Sequence, residues 1–156
     1  SALRLDFARE FGADHVIPVT GTTKAERLQA VRDLTEGRGA DVIVECTGAA
    51  EAIPEGLEMA RRGATYVVAG VFADVGDIPI NPHRHLLANQ IRLIGLTNHP
   101  PSGYVNSMKL LARYQKTFPL HKFVTHQYPV DQVDAAMAKA FDIDNAMKVV
   151  LTPSAE

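Results

Sequence analysis

The sequence predicts an α/β fold with a mainly parallel sheet, and three features lead to this prediction. Residues 41–70 read as strand, glycine turn, helix and strand, and two strands joined in this way run parallel. The β-branched run 42–44 and the run 65–69 are short and apolar, as in strands that are buried on both faces. Other apolar runs alternate with segments of helical periodicity along the chain. In such sheets ligands bind beyond the carboxyl ends of the strands.

The remaining elements are assigned by the same patterns, which are apolar runs of strand length and apolar positions at helical spacing. In chain order they are a helix over 2–11, a strand over 15–19, a helix over 23–36, a helix over 52–60 capped by Gly63, a turn or short helix ending at Leu87, a strand over 90–96, a helix over 104–116, a strand over 123–128, a helix over 130–141 and a strand over 148–151. The helix faces predicted to point inward carry, among others, Val105, Met108, Leu111, Ala112, Val133, Met137 and Phe141.

Composition indicates a globular domain and excludes several classes of partner. The chain has 156 residues, 46% of them hydrophobic and 22% charged, which is enough for a core. A net charge of −2 gives no electrostatic reason to expect a nucleic acid or a membrane surface. No apolar run reaches the ~18 residues that a membrane span needs, so no span is expected, and without a basic-then-apolar start no secretory leader is expected. The single Cys46 excludes an internal disulfide and a multi-cysteine zinc site, and it fits a reducing cytoplasm.

A resemblance to a known family rests on linked segments. The chain carries, in this order, RLDFAREFGADHVI, LTEGRGADVIVECTG, IPEGLEMARRGATYVVAG, FVTHQYPVDQVDAAM and MKVVLTP. These segments resemble the medium-chain, zinc-type alcohol dehydrogenases over nearly the whole chain. The resemblance implies a partial Rossmann-type doubly wound parallel sheet that lacks its first strands. It also implies that residues 1–120 belong to the dinucleotide-binding domain and that residues 121–156 form a C-terminal segment returning to the catalytic domain.

The sequence departs from the family in what it does not contain. It has no G-x-G-x-x-G turn, and the resemblance places that turn, with the acidic residue for the adenosine ribose, before Ser1. The catalytic domain with the zinc ligands is expected there too, so the chain is expected to be a fragment that is inactive by itself. In the family's strand order the first two strands lie between 16–19 and 42–46. We therefore expect strand 42–46 to have an unpaired edge, which a longer parent chain or another chain would fill.

The resemblance also assigns residues to a site for NAD or NADP. Arg4 matches the basic position near the adenosine ribose, and Lys148 matches the basic residue that reaches the pyrophosphate. For both, the alternative is a solvated surface side chain. The other positions match turns and a strand near the nicotinamide: Cys46, Thr47, Gly48, Gly70, Val71, Leu93, Ile94 and Gly95. The alternative interpretation of these positions is that they serve only the turns and the core and do not contact a cofactor.

No catalytic residue and no metal ligand is assigned within the chain. His83 and His85 could chelate a metal together on a strand but not on a helix, and the preceding Asn81-Pro82 favours a turn or helix. Cys46 ends an apolar strand with no activating base near it in sequence, which disfavours a nucleophile. No Ser/His/Asp pattern, paired catalytic carboxylates or P-loop is recognised.

The resemblance therefore implies a fragment of a zinc-dependent alcohol dehydrogenase-like oxidoreductase. It would supply the nicotinamide side of the NAD(P) site for hydride transfer to or from a small alcohol or carbonyl substrate. The run 91–96 is apolar except for Arg92, and we expect it to form the last strand of the sheet. Family members pair at this edge across a two-fold axis, so the resemblance implies a homo-oligomer. The alternative is a non-catalytic nucleotide-binding or association module, whereas a methyltransferase would need a glycine-rich turn that is not visible. NAD and NADP stay undistinguished, because the deciding residue falls before Ser1.

Overall fold

A computed structural model describes residues 1–71, 73–98 and 100–153. It divides into two compact units, which we call the sheet unit (Thr22–His99) and the terminal unit (Ser1–Gly21 with Pro100–Glu156). The helices and strands are α1 (Ala2–Glu10), α2 (Lys24–Leu34), β1 (Ala40–Glu45), α3 (Ala52–Met59), β2 (Ala60–Val68), β3 (Arg92–Gly95), α4 (Pro101–Tyr114), β4 (Val124–Pro129), α5 (Val133–Ala140) and β5 (Lys148–Thr152), with shorter helical segments at Pro82–Leu87, Leu120–Phe123 and Val130–Gln132. Within the described ranges no helix is long and apolar enough to cross a membrane.

The sheet unit confirms the predicted strand–helix–strand arrangement. β1, β2 and β3 form a parallel sheet in that order, and α3 connects β1 to β2. Glu45 at the end of β1 lies beside Val68, and Val68 lies beside Gly95. The carboxyl ends of the three strands therefore reach the same edge of the sheet, and the turns after β1 and β2 start from neighbouring positions.

The outer edge of β1 is unpaired within the described residues, as the family's strand order led us to expect. Val42 is 62% exposed and Val44 is 58% exposed, although both are β-branched residues of a strand. Such residues are usually covered in a parallel sheet. This sheet is therefore a partial one, with apolar residues exposed at its β1 side.

Helix α3 is held against β2 by a close contact between a glycine and a tyrosine. Tyr66 of β2 is 1% exposed, and its hydroxyl donates a hydrogen bond of 3.2 Å to the carbonyl oxygen of Ala52. A Cβ atom added at Gly56 would lie only 2.6 Å from the Cε2 atom of the Tyr66 ring. Helix α2 joins the assembly through Arg27, which donates hydrogen bonds of 2.6 and 2.7 Å to the two carboxylate oxygens of Glu55.

The terminal unit is a second, smaller assembly. Strands β4 and β5 pair in parallel, and α5 lies against them. The ring of Phe11, which follows α1, lies 4.5 Å from the ring of Phe123 and 5.9 Å from that of Phe118. Lys122 and Glu10 add an exposed ion pair at 2.7 Å. The predicted boundary at residue 120 concerns how the C-terminal segment packs in a whole family member, and it stays a prediction.

The strand predicted at 15–19 is wrong, because this segment belongs to no strand of the described chain. A strand is defined by its hydrogen bonds to a neighbour, and the five strands pair only with one another. An apolar run of strand length is a local property, whereas pairing depends on which strand lies beside it.

The predicted cap at Gly63 is also wrong. Helix α3 ends at Met59, and Gly63 lies inside β2 with a φ of +75°. The pairing of β1 with β2 shifts register there, since Ala40 lies beside Ala60 while Val42 lies beside Thr65. Gly63 therefore serves a bulge in a strand, for which its positive φ is well suited.

Two predicted inward-facing helix surfaces are exposed. In α4 the exposed side chains include Val105, Met108 and Leu111, and α4 itself begins three residues earlier than predicted, with Pro101 in its first turn. The predicted inward positions around α5 are exposed as well, namely Val133, Met137 and Phe141, whereas Ala136 is buried. Helical spacing predicts that a helix has an apolar face, but it does not say whether the chain supplies a surface to cover it.

The substitution Gly56→Ala tests the contact between α3 and β2. At an open helical position this change stabilises a protein by about 1 kcal/mol. Here the methyl group would meet the buried Tyr66 ring, so we expect the free energy of unfolding to fall by about 1–3 kcal/mol, measured by urea denaturation. The control is Gly95→Ala, whose methyl group would meet no atom within 4 Å. A Gly56→Ala protein as stable as the wild type would contradict the contact.

Candidate functional site

Two turns meet at the carboxyl edge of the sheet, one after β1 and one after β2. A Cβ atom at Gly70 would lie 2.6 Å from backbone atoms of Cys46, Thr47 and Gly48. A Cβ atom at Gly48, whose φ is +72°, would lie 2.7 Å from the carbonyl oxygen of Gly70. Both glycines are therefore required by the approach of one turn to the other, so ordinary turn geometry explains them. Contact with a cofactor at these positions stays a prediction.

The two turns are joined by the side chain of Glu45, which is 4% exposed. Its Oε1 atom accepts hydrogen bonds from the amide of Thr47 at 2.6 Å, the hydroxyl of Thr47 at 2.7 Å and the amide of Gly48 at 2.8 Å. Its Oε2 atom accepts a hydrogen bond of 3.2 Å from the amide of Gly70. One carboxylate thus holds both turns at once.

Sequence reasoning missed Glu45. The signal was a lone acidic residue at the end of an otherwise apolar strand, directly before Cys46-Thr47-Gly48. A buried carboxylate needs hydrogen-bond donors, and small turn residues with accessible amides can supply them. That pattern could have indicated a carboxylate that organises the turn.

The hydrogen bonds to Glu45 outweigh the cost of burying it. Burial by itself raises the pKa of this carboxyl group, but the hydroxyl of Thr47 and the amides of Gly48, Thr47 and Gly70 bind the charged form and hold its pKa below the ordinary value of 4.5. Glu45 is therefore ionised at neutral pH. Its charge also reaches β2, since burial first and the Glu45 charge second raise the pKa of Tyr66 to about 12.

The arrangement limits what the turns can bind. The amides of Thr47, Gly48 and Gly70 are committed to Glu45, and the amide of Ala49 donates to the Thr47 hydroxyl at 3.1 Å. These amides therefore do not form an anion-binding cradle.

The other predicted cofactor residues are spread over both units. In the sheet unit, Val71 is half-buried, whereas Leu93, Ile94 and Gly95 of β3 are exposed. In the terminal unit, an Nη atom of Arg4 donates a hydrogen bond of 3.4 Å to the carbonyl of Ala146. Lys148 of that unit is exposed at the start of β5, two residues beyond this carbonyl.

The histidines of the NPHRH segment lie in the helical segment Pro82–Leu87, as the Asn-Pro pair predicted. His85 is buried, and its Nδ1 atom accepts a hydrogen bond of 3.0 Å from the amide of Asn81. His83 is exposed. In the parts of the chain that the structure describes, no three side chains of His, Cys, Asp or Glu are grouped so that they could hold a metal ion.

Comparison with known proteins agrees with this fold and its partial sheet. A family model for zinc-binding dehydrogenases matches residues 1–113. The chain is 35% identical over 137 residues to 5-exo-hydroxycamphor dehydrogenase of Pseudomonas putida, covering 88% of this chain and 38% of the relative. It is 32% identical over 151 residues to sorbitol dehydrogenase of Halalkalibacterium halodurans, covering 97% of this chain and 42% of the relative.

A solved structure extends the comparison to three dimensions. The crystal structure of an alcohol dehydrogenase from Thermotoga maritima matches 99% of this chain with a TM-score of 0.89 and 34% sequence identity, and the match covers 41% of that protein. The fold is therefore that of a Rossmann-type domain of alcohol dehydrogenases. The chain belongs to the zinc-binding dehydrogenase family, the zinc-type medium-chain alcohol dehydrogenases. It spans about two fifths of the length of the curated relatives it matches.

The lowered pKa of Glu45 predicts a pH-dependent stability. Its ionised form stabilises the fold above pH 4.5, and this contribution is lost as the pH falls through the lower folded value. We expect Glu45→Gln to lower the free energy of unfolding by about 2 kcal/mol near neutral pH. The difference in the free energy of unfolding between the variant and the wild type should shrink as the pH falls below 4.5, the ordinary pKa of a glutamate. Urea denaturation over a pH series measures it, and a difference that does not vary with pH would contradict the ionised state.

Proposed function

We propose that this chain supplies the nicotinamide side of the NAD(P) site in a zinc-type alcohol dehydrogenase. The parent enzyme would move a hydride between the cofactor and a small alcohol or carbonyl substrate. The observation that carries the proposal is the pair of turns joined at the carboxyl edge of a parallel sheet, in a member of this family. The names of the two relatives, a hydroxycamphor dehydrogenase and a sorbitol dehydrogenase, support an alcohol as substrate.

The chemistry of the turns fits the nicotinamide half of the cofactor better than its phosphates. A carboxamide and ribose hydroxyls can donate hydrogen bonds to carbonyl oxygens, whereas a phosphate needs donors. The phosphate donors would be the cationic side chains of Arg4 and Lys148. The exposed β3 residues would lie against the nicotinamide, as the resemblance implies.

In this proposal the catalytic zinc is bound by residues outside this chain, as the resemblance implies. We further propose that residues 1–120 act as part of the dinucleotide-binding domain and that residues 121–156 return to a catalytic domain. We also propose that the isolated chain has no turnover. A cytoplasmic location is proposed from the single free thiol, Cys46.

The test is made on the full gene product. Binding of NADH and NADPH is measured by fluorescence titration, and cofactor reduction is measured with a panel of small alcohols and polyols, with and without a zinc chelator. We expect one of the two cofactors to bind and its reduction to be chelator-sensitive. Absence of binding by both would overturn the proposal, and binding without turnover on any alcohol would favour the non-catalytic nucleotide-binding module.

Lys148 provides a residue-level prediction. If its ammonium group pairs with the cofactor pyrophosphate, Lys148→Gln should raise the dissociation constant for the reduced cofactor about tenfold, and the effect should diminish at high salt. The matched control is Lys109→Gln, which removes an exposed lysine of α4 and should leave the affinity unchanged. Equal affinities for the two variants would show that Lys148 is an ordinary surface lysine.

We also propose that the protein is a homo-oligomer through segment 91–96. The outer edge of β3 is unpaired within the described chain, and Leu93, Ile94 and Leu96 are exposed there. An apolar strand edge of this kind tends to pair with another chain. Its pairing with a second copy would build a continuous sheet through a two-fold axis.

A single charge tests this interface. Leu96→Glu should lower the molar mass seen by sedimentation velocity, because a carboxylate would be buried between the copies. The control Leu110→Glu changes a residue of α4 that is equally exposed, at 57%, and should not alter the mass. Dissociation by Leu110→Glu alone would place the interface elsewhere, and a monomeric wild type would exclude it.

A further inference from the structure

We propose that Glu45 is a positioning residue, which sets the nicotinamide side of the site by tying the turn after β1 to the turn after β2. This inference rests on the proposed function, since it concerns how the same site is held in shape. Glu45 does not itself contact the cofactor in this proposal. It acts through the backbone of Thr47, Gly48 and Gly70, whose amides it binds at 2.6, 2.8 and 3.2 Å.

The geometry requires a carboxylate of this length. Four donors converge on two oxygens, three on Oε1 and one on Oε2. A glutamine offers only one acceptor oxygen, so whichever way its amide is placed, an NH₂ group faces at least one backbone N–H. An aspartate keeps the charge but is one methylene shorter, so it cannot reach both turns without moving the backbone.

Because the two turns are in contact, they cannot move closer together to accommodate a glutamine or an aspartate at position 45. The ideal Cβ positions at Gly48 and Gly70 fall within 2.7 Å of the opposing backbone, so the turns already touch through their main chains. Main-chain contact sets how far apart the turns are, but it does not set their rotation. The hydrogen bonds of Glu45 do, because each one orients a particular peptide group. Loosening them would turn the carbonyl oxygens that we propose receive the carboxamide and ribose.

The consequence is confined to one half of the dinucleotide. Glu45 lies at the end of β1 and its carboxylate binds the turns after β1 and β2, so its effect is expected on the part of the dinucleotide that these turns would contact. A ligand that lacks both the nicotinamide and its ribose, such as ADP, should therefore bind with the same affinity when Glu45 is replaced. A ligand that carries them should bind more weakly.

The experiment compares these two ligands on the full gene product. For Glu45→Gln we expect the dissociation constant for the reduced cofactor to rise about tenfold, while that for ADP stays within about twofold of wild type. We expect kcat to fall as well as KM to rise, because a misplaced nicotinamide also impairs hydride transfer. Glu45→Asp should show the same selectivity between the ligands, and it replaces Glu45→Gln if that variant does not fold.

The matched control is Glu55→Gln, which removes a largely buried, doubly hydrogen-bonded carboxylate from α3 without touching either turn. It should leave both dissociation constants and kcat unchanged. Equal losses for the two ligands, or an effect of Glu55→Gln that matches that of Glu45→Gln, would overturn the positioning role alone. A wild-type protein that binds neither NADH nor NADPH would instead overturn the proposed function, and the positioning role with it.

Discussion

The buried carboxylate of Glu45 forms the interactions on which the carboxyl edge of the sheet depends. A charge with 4% exposure is costly unless donors surround it, and here a hydroxyl and three backbone amides do so. The amides come from two turns that are far apart along the chain. Their convergence on one side chain links the ends of β1 and β2, and the close contact of Gly48 with Gly70 brings the same two turns together.

The packing of β2, α3 and α2 holds the strands that lead to this edge. Tyr66 fills the space between β2 and α3, and only a glycine at position 56 leaves room for its ring. The ion pair of Arg27 with Glu55 then joins α2 to α3. Helix α3 leads from the turn after β1 back to β2, so its packing determines where that turn ends.

Several apolar surfaces are exposed in the described chain. The outer edge of β1, the faces of α4 and α5, and the edge of β3 all carry side chains that are usually covered in a folded protein. The chain matches about two fifths of the length of its curated relatives. Periodicity predicted burial at the positions in α4 and α5 because it identifies an apolar face but not the surface that covers it.

The sequence by itself determined the class of the fold and the order of most helices and strands, because apolar periodicity and glycine positions are local properties. The family was indicated by the resemblance of linked segments such as LTEGRGADVIVECTG to known dehydrogenases. It also indicated the edge of the sheet where a ligand would bind, since the carboxyl ends of parallel strands can be read from chain order. Only the tertiary structure decided that segment 15–19 is not a strand, that Gly63 belongs to a bulge, and that Glu45 joins two turns. Each of these depends on a neighbour distant in sequence: a strand to pair with, a register to shift, or an amide to bind. Such contacts form only when distant parts of the chain pack together, so local sequence patterns do not predict them.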